Sequence, residues 1–232
     1  MNHQERIKIA KSICKDLIKK GAEAVGIMGS VARKEDKKYS DLEMIAISTR
    51  GGERLFFTKS SMPILIEFHD PKNFLRMATT MKYDWPVVAG SFEILPLYDP
   101  SKIFDKGKRL RDSITDEMFR KGAKDALLDC LEYINKMKNA YKSKDVYRIL
   151  YSSRIFAGSI ASFMAFINKT YFKSENTVYE QSLIMKKKPK YFKQLFLLAG
   201  GYSTTDIQEV YKACIKLWKS CIEMSKKEGI KL

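Results

Sequence analysis

Gly26-Ile27-Met28-Gly29-Ser30-Val31-Ala32-Arg33, followed after a short spacer by Tyr39-Ser40-Asp41-Leu42-Glu43-Met44-Ile45-Ala46-Ile47-Ser48, sets the architecture of the N-terminal half. Ala24 to Met28 is a short apolar run and reads as a strand; Gly29-Ser30 is a small-residue turn, and Ser30 to Glu35 read as the first turns of a helix. Asp41 to Ser48 then reads as a second strand that opens on two carboxylates spaced two apart. Residues two apart in a strand project to the same face, so Asp41 and Glu43 converge. Converging carboxylates suit a hard divalent cation such as Mg²⁺. Backbone N–H groups at a helix start suit phosphate, so Gly29 and Ser30 offer a phosphate cradle next to that metal site. Together these are the minimal parts for moving a nucleotidyl group.

Outward from this stretch, Gln4 to Lys20 repeats apolar residues at helical spacing and stops at Gly21. Leu55 to Thr58 and Ile64 to Phe68 read as strands, Pro71 to Met81 as a helix with proline at its start, and Ile94 to Tyr98 as one more strand. Asp99-Pro100 marks a turn or boundary. Beyond about residue 112 turn signals thin out and helical periodicity takes over. Helices are expected over Ala123 to Lys142, Lys144 to Asn168, Thr177 to Leu198 (one or two) and Ile207 to Lys227, the last capped by Thr204-Thr205-Asp206. The fold class is therefore α+β: a catalytic domain over 1–112 with a mixed sheet and flanking helices, then an all-helical up-and-down bundle over 113–232.

The 232 residues carry 43 Lys and Arg against 27 Asp and Glu, a formal charge of +16. Such a surface attracts polyanions, which brings RNA into consideration as a partner. The four cysteines form no C-x-x-C pair and each lies in a helical pattern, which argues against zinc or a disulfide framework. The charged N-terminus has no signal-peptide core, and the longest apolar stretch, Ile155 to Ile167, is too short to span a bilayer. A soluble cytoplasmic protein with no membrane partner is the expectation.

The Gly-Ser…Asp-x-Glu pattern resembles the nucleotidyltransferase superfamily that includes DNA polymerase beta. A closer likeness is to the kanamycin nucleotidyltransferase family, whose members modify aminoglycosides. It is carried by Gly29-Ser30 through Met44, by Asp84-Trp85-Pro86 with Gly90 and Ile94 to Asp99, and by Glu132-Tyr133 with Lys136 and Asn139. The resemblance implies that Asp41, Glu43 and a third carboxylate on a later strand hold Mg²⁺. Glu67 is the best placed for that third position and Asp70 is the alternative. It also implies that Ser30 grips a phosphate, that Arg33 pairs with a phosphate oxygen, that Glu132 takes the proton from the acceptor hydroxyl, and that Lys136, one helical turn on, meets the triphosphate. The substrates so implied are a nucleoside triphosphate, ATP in the first instance, and a hydroxyl-bearing small molecule; a homodimer is implied as well.

Two other readings compete. The basic charge favours an RNA or protein acceptor, since long-range steering opposes a polycationic aminoglycoside. Tyr141, Tyr147, Arg148, Tyr151 and Arg154 supply basic and aromatic groups for it. A non-catalytic nucleotide-binding module is the third, and the intact acidic set argues against it. In the sequence the four acidic residues Asp41, Glu43, Glu67 and Asp84 are the candidates for a locally negative pocket.

Overall fold

The computed structural model describes residues 1–204 and 206–232; Thr205, part of the cap expected at the start of the last helix, lies outside them. Its elements are α1 (His3–Lys19), β1 (Ala24–Ile27), α2 (Gly29–Ala32), β2 (Leu42–Ile47), β3 (Leu55–Lys59), β4 (Met62–His69), α3 (Pro71–Met77), α4 (Trp85–Val88), β5 (Leu95–Tyr98) and α5 (Ile103–Asp112). The helices α6 (Asp116–Lys142), α7 (Val146–Ile167), α8 (Val178–Ile184), α9 (Phe192–Ala199) and α10 (Ile207–Lys227) follow. The chain forms two compact units. One comprises Met1–Thr80 and Val88–Ile114, the other Met81–Val87 and Thr115–Leu232.

The first unit is built on a five-stranded sheet in the order β3-β4-β2-β1-β5. Among the described residues only β2 and β4 run parallel; the other pairs are antiparallel. β1 and β2 lie inside the sheet with both faces covered, which is why Met44 to Ile47 is apolar without alternation. On one face Val25, Ile27, Leu42, Met44, Ala46, Ile64 and Ile66 pack with the stripe Ala10, Cys14 and Leu17 of α1. On the other Ala24, Ile45 and Ile47 pack with Phe74 of α3 and with Phe92, Ile103 and Phe104. An Asn2–Glu5 capping box starts α1, and Asp70 starts α3 by accepting from the Asn73 N–H at 3.0 Å. β3 occupies one sheet edge and is exposed along its whole length.

In the second unit α6 and α7 form a long hairpin. Asp145 caps α7 by accepting from the Arg148 N–H at 3.0 Å. Small residues on α6 let the helices approach closely: a Cβ on Gly122 would lie 2.3 Å from Phe166 Cε1. From Ser152 onward α7 is largely buried, so its apolar residues cover every face rather than one stripe. By length and composition α7 is long and apolar enough to cross a membrane, yet 72% of its apolar window is buried within the protein. The apolar helix is longer than the Ile155 to Ile167 stretch because Val146 to Leu150 continue it. All four cysteines are free and buried, and burial pushes the Cys214 thiol up to about 12.

The mixed sheet and the helical region expected from the sequence are both present, with local differences. α2 is a single turn, closed by Lys34 at a φ of 57°, rather than a helix reaching Glu35. α3 ends at Met77 instead of Met81. α5 was not expected from the sequence. Asp99 nucleates it by accepting from the Ile103 and Phe104 N–H groups at 2.8 and 3.0 Å.

Candidate active site

Three acidic residues of the first unit, Asp41, Glu43 and Glu67, gather on one sheet face. Asp41 immediately precedes β2, and Glu43 is the second residue of that strand. In the parallel β2–β4 register Ile45 pairs with Glu67. Residues 41, 43 and 45 share a face, so Glu67 shares it too. Asp70 is instead committed to capping α3. The two candidates for a third carboxylate thus have different surroundings: Glu67 looks onto the acidic face and Asp70 closes a helix.

The charges of this cluster are felt within it. Burial pushes the Glu43 carboxyl up, and the neighbouring Asp41 and Glu67 charges push it further, against the pull of Arg33 and Arg54. Glu67 behaves in the opposite way. His69, whose Nε2 lies 3.6 Å from Glu67 Oε2, holds that carboxyl below its usual range, with Arg54 helping. Among the described residues no three His, Cys, Asp or Glu side chains converge tightly enough to form a metal cage. Mg²⁺ does not require one, since it is commonly held by one or two carboxylates together with substrate phosphates and water. Asp41 and Glu43 fit that demand, in a place where carboxylate charge is in excess.

Gly29 sits at a φ of 66°, and a Cβ added there would lie 1.8 Å from Glu43 Oε2. Both facts call for glycine, because the turn is left-handed and the carboxylate abuts the backbone. Ser30 is half-buried in the single turn of α2. Arg33 is paired with Glu35 at 2.9 Å while its charge also reaches Glu43.

An ionised Glu43 costs the folded state stability. A carboxyl raised on folding favours its protonated form, so its contribution is present at low pH and lost as pH rises through the folded value. Glu43→Gln is therefore expected to melt at a higher temperature than the parent near neutral pH, with the gap closing on acidification. Thermal unfolding across pH checks this; a lower melting temperature for the variant would contradict it.

Glu132 and Lys136 belong to the second unit and meet on α6. Lys136 Nζ lies 2.5 Å from Glu132 Oε1, one turn apart, and 4.5 Å from the centre of the Tyr133 ring. Both side chains are about half exposed.

A family profile described as the KNTase C-terminal domain matches residues 101–231, more than half of the chain. The chain belongs to the KNTase C-terminal domain family. Two curated relatives, both called aminoglycoside nucleotidyltransferase (4'), come from Staphylococcus aureus and a Bacillus species. Each is 30% identical over 146 residues, which cover 60% of this chain and 58% of the relative. The match thus spans less than two thirds of their length. Among solved structures, a nucleotidyltransferase-like protein from Exiguobacterium sibiricum superposes with a TM-score of 0.57 at 10% identity. That match covers 96% of this chain and 78% of the other, and at such identity it speaks to the fold alone.

Within this KNTase C-terminal domain, α6 presents more than the two residues singled out in the sequence. Asp125, Asp129 and Glu132 recur at helical spacing on one side of it. Asp125 accepts from the Tyr83 N–H at 2.7 Å. Asp129 accepts from the Ser159 hydroxyl of α7, and its carboxyl is pushed up by burial and by the charges of Glu132 and Asp125. Tyr83 is pushed up by burial and by Asp84, Asp129 and Asp125. The second unit therefore carries its own acidic, tyrosine-lined cluster.

Sequence reasoning missed Asp125 and Asp129 because acidic residues on a long charged helix look like solvated surface. It missed Arg54 because the residue stands in the loop before β3. Only the register, in which Leu55 pairs with Ile66, brings it next to Glu67.

Proposed function

We propose that this protein is a Mg²⁺-dependent nucleotidyltransferase that moves a nucleoside monophosphate, AMP from ATP in the first instance, onto a hydroxyl of an aminoglycoside. One observation carries the reading: Asp41, Glu43 and Glu67 share a sheet face, where burial first and then the Asp41 and Glu67 charges push Glu43 up. Such a face is short of positive charge, and a cation bound with the triphosphate would meet that need. The names of the curated relatives support the acceptor class.

Asp41 and Glu43 would hold Mg²⁺, with Glu67 close by under the restraint of His69. Bound Mg²⁺ supplies charge neutralisation on the triphosphate and on the departing pyrophosphate. The Gly29–Ser30 turn presents backbone to the phosphates, and Arg33 adds a guanidinium suited to phosphate oxygens. Glu132 accepts the proton of the attacking hydroxyl. The deprotonated acceptor oxygen is then the nucleophile at the α-phosphorus and displaces pyrophosphate, with Lys136 assigned by the family resemblance to the charge of the triphosphate. In this reading the catalytic domain covers 1–112, the helical domain 113–232, and the enzyme works as a cytoplasmic homodimer.

The overall charge of +16 argues against a polycationic acceptor, but the field near a site is set by its nearest charges. Asp84, Asp125, Asp129 and Glu132 gather around Tyr83 and Tyr133, which supports a cationic, ring-bearing acceptor.

The test offers ATP labelled at the α-phosphate, with Mg²⁺, to kanamycin and to bulk RNA in parallel. Label on kanamycin supports the proposal; label on RNA alone replaces the acceptor; label on neither refutes the activity. In the same assay Glu132→Gln is expected to lower kcat by about a hundredfold or more, with nucleotide affinity unchanged. An unaltered kcat would remove Glu132 as the base.

A further inference from the structure

Arg6 is the least expected side chain of the first unit. It lies in the first turn of an ordinary amphipathic helix, yet it is 1% exposed. Unpaired, a buried guanidinium would be strongly destabilising, and this one is engaged by every nitrogen. Nη1 donates to Asp36 Oδ2 at 2.9 Å and to the Met1 carbonyl at 3.0 Å. Nη2 donates to the carbonyls of Lys37 at 2.8 Å, Lys38 at 3.1 Å and Ser40 at 2.9 Å. Nε donates to the same Ser40 carbonyl at 3.3 Å. On its other side Asp36, with a side chain 3% exposed, meets His3 Nδ1 at 2.6 Å.

These partners lie in one place in the chain. Asp36 to Ser40 form the irregular segment that leads from α2 into β2, and the next residue is Asp41. The Ser40 carbonyl belongs to the peptide group that joins Ser40 to Asp41. Two guanidinium nitrogens grip that one oxygen, which fixes the plane from which Asp41 projects. The remaining donors gather the turn before it, and Ser40 closes that turn by accepting from the Lys37 N–H through its hydroxyl at 2.9 Å. A loop without regular backbone pairing is thereby held to the rigid helix α1.

We propose that Arg6 is a positioning residue for Asp41: its fork sets the geometry of the Ser40–Asp41 peptide and so of the first carboxylate of the metal–nucleotide site. The inference rests on the function proposed above. Lysine has the same charge but is a point donor and does not span several carbonyls in one plane. Small displacements of a reacting group are costly in rate, so the effect on turnover exceeds the effect on folding.

The experiment compares Arg6→Lys, Arg6→Gln and Asp36→Asn with the parent. The readouts are thermal unfolding, amide hydrogen exchange at residues 37–41, affinity for ATP with and without Mg²⁺, and kcat with KM for each substrate. Asp36→Asn removes the ion pair but leaves the fork on the carbonyls, so it reports the purely structural contribution. Arg6→Lys is expected to exchange faster at residues 37–41 and to lose the Mg²⁺-dependent part of its ATP affinity. Its kcat/KM for ATP falls by about tenfold to a hundredfold, while KM for the acceptor stays put. Arg6→Gln, which keeps a planar amide, carries the same comparison if the lysine variant does not fold. Loss of thermal stability in either Arg6 variant with unchanged ATP affinity and kcat/KM overturns the proposal, as does Asp36→Asn losing as much activity as Arg6→Lys. A parent that neither binds ATP nor transfers refutes the functional reading itself, and this inference with it.

Discussion

Asp41→Asn is expected to lose nucleotidyl transfer by about a thousandfold or more, because the cation that would neutralise the phosphates is then held by one carboxylate fewer. The protein meanwhile stays folded. Asp41 is exposed and lies just before β2, outside the apolar core on either face of the sheet. Asparagine has the same shape and removes only charge. It also relieves Glu43, whose carboxyl the Asp41 charge helps to push up. The expected signature is thus a thermal unfolding curve at or above that of the parent, with no label transferred from ATP. Full activity in this variant would refute the metal-site reading, and collapse of the fold would refute the view of Asp41 as a surface carboxylate.

Trp85→Ala has the largest expected effect on stability. The indole is 1% exposed in the second unit. Its ring lies nearly parallel to that of Phe166, 6.0 Å centre to centre, and edge-on to Phe119 at 5.8 Å. The next residue, Pro86, accepts from the Phe172 N–H at 2.8 Å, so the segment is tied to the chain beyond α7 as well. Emptying such a site costs about 3–5 kcal/mol, and for a chain of this size each kcal/mol moves Tm by roughly 2–4 °C. A fall in Tm on the order of 10 °C is expected, with Trp85→Phe intermediate. If the alanine variant melts like the parent but loses activity, the tryptophan contacts substrate and is not a packing residue.

What the sequence disclosed depended on whether a residue's neighbours were near it in the chain. α10 was read at the bounds it has, because its apolar spacing and the Asp206 cap are local signals. The edges of β1, β2 and β5 were legible within a residue or two, since apolar runs and turns bracket them. The choice between Glu67 and Asp70 was not, because a strand's facing depends on its partner, and β4 finds its register only against β2. Arg6 was hidden for a related reason. Its partners are 30 to 34 residues away, apart from Met1, and an arginine in a helical pattern looks like surface until the loop that surrounds it is placed. α5 was missed because its apolar positions are outnumbered by Lys, Arg and Asp, while its start depends on a cap by Asp99.

Met81–Val87 packs with the helical unit although the residues on both sides of it belong to the sheet unit. During synthesis this segment leaves the ribosome before any of α6 or α7, so the indole of Trp85 emerges with nothing to cover it. The sheet unit has all its residues once Ile114 is out, while its internal loop still waits for Phe166. Nascent chains arrested between these two points would hold a finished sheet and an exposed tryptophan, the stage at which a chaperone would find the most to bind. No single proteolytic cut divides the chain into its two units either, because each is assembled from two stretches of sequence.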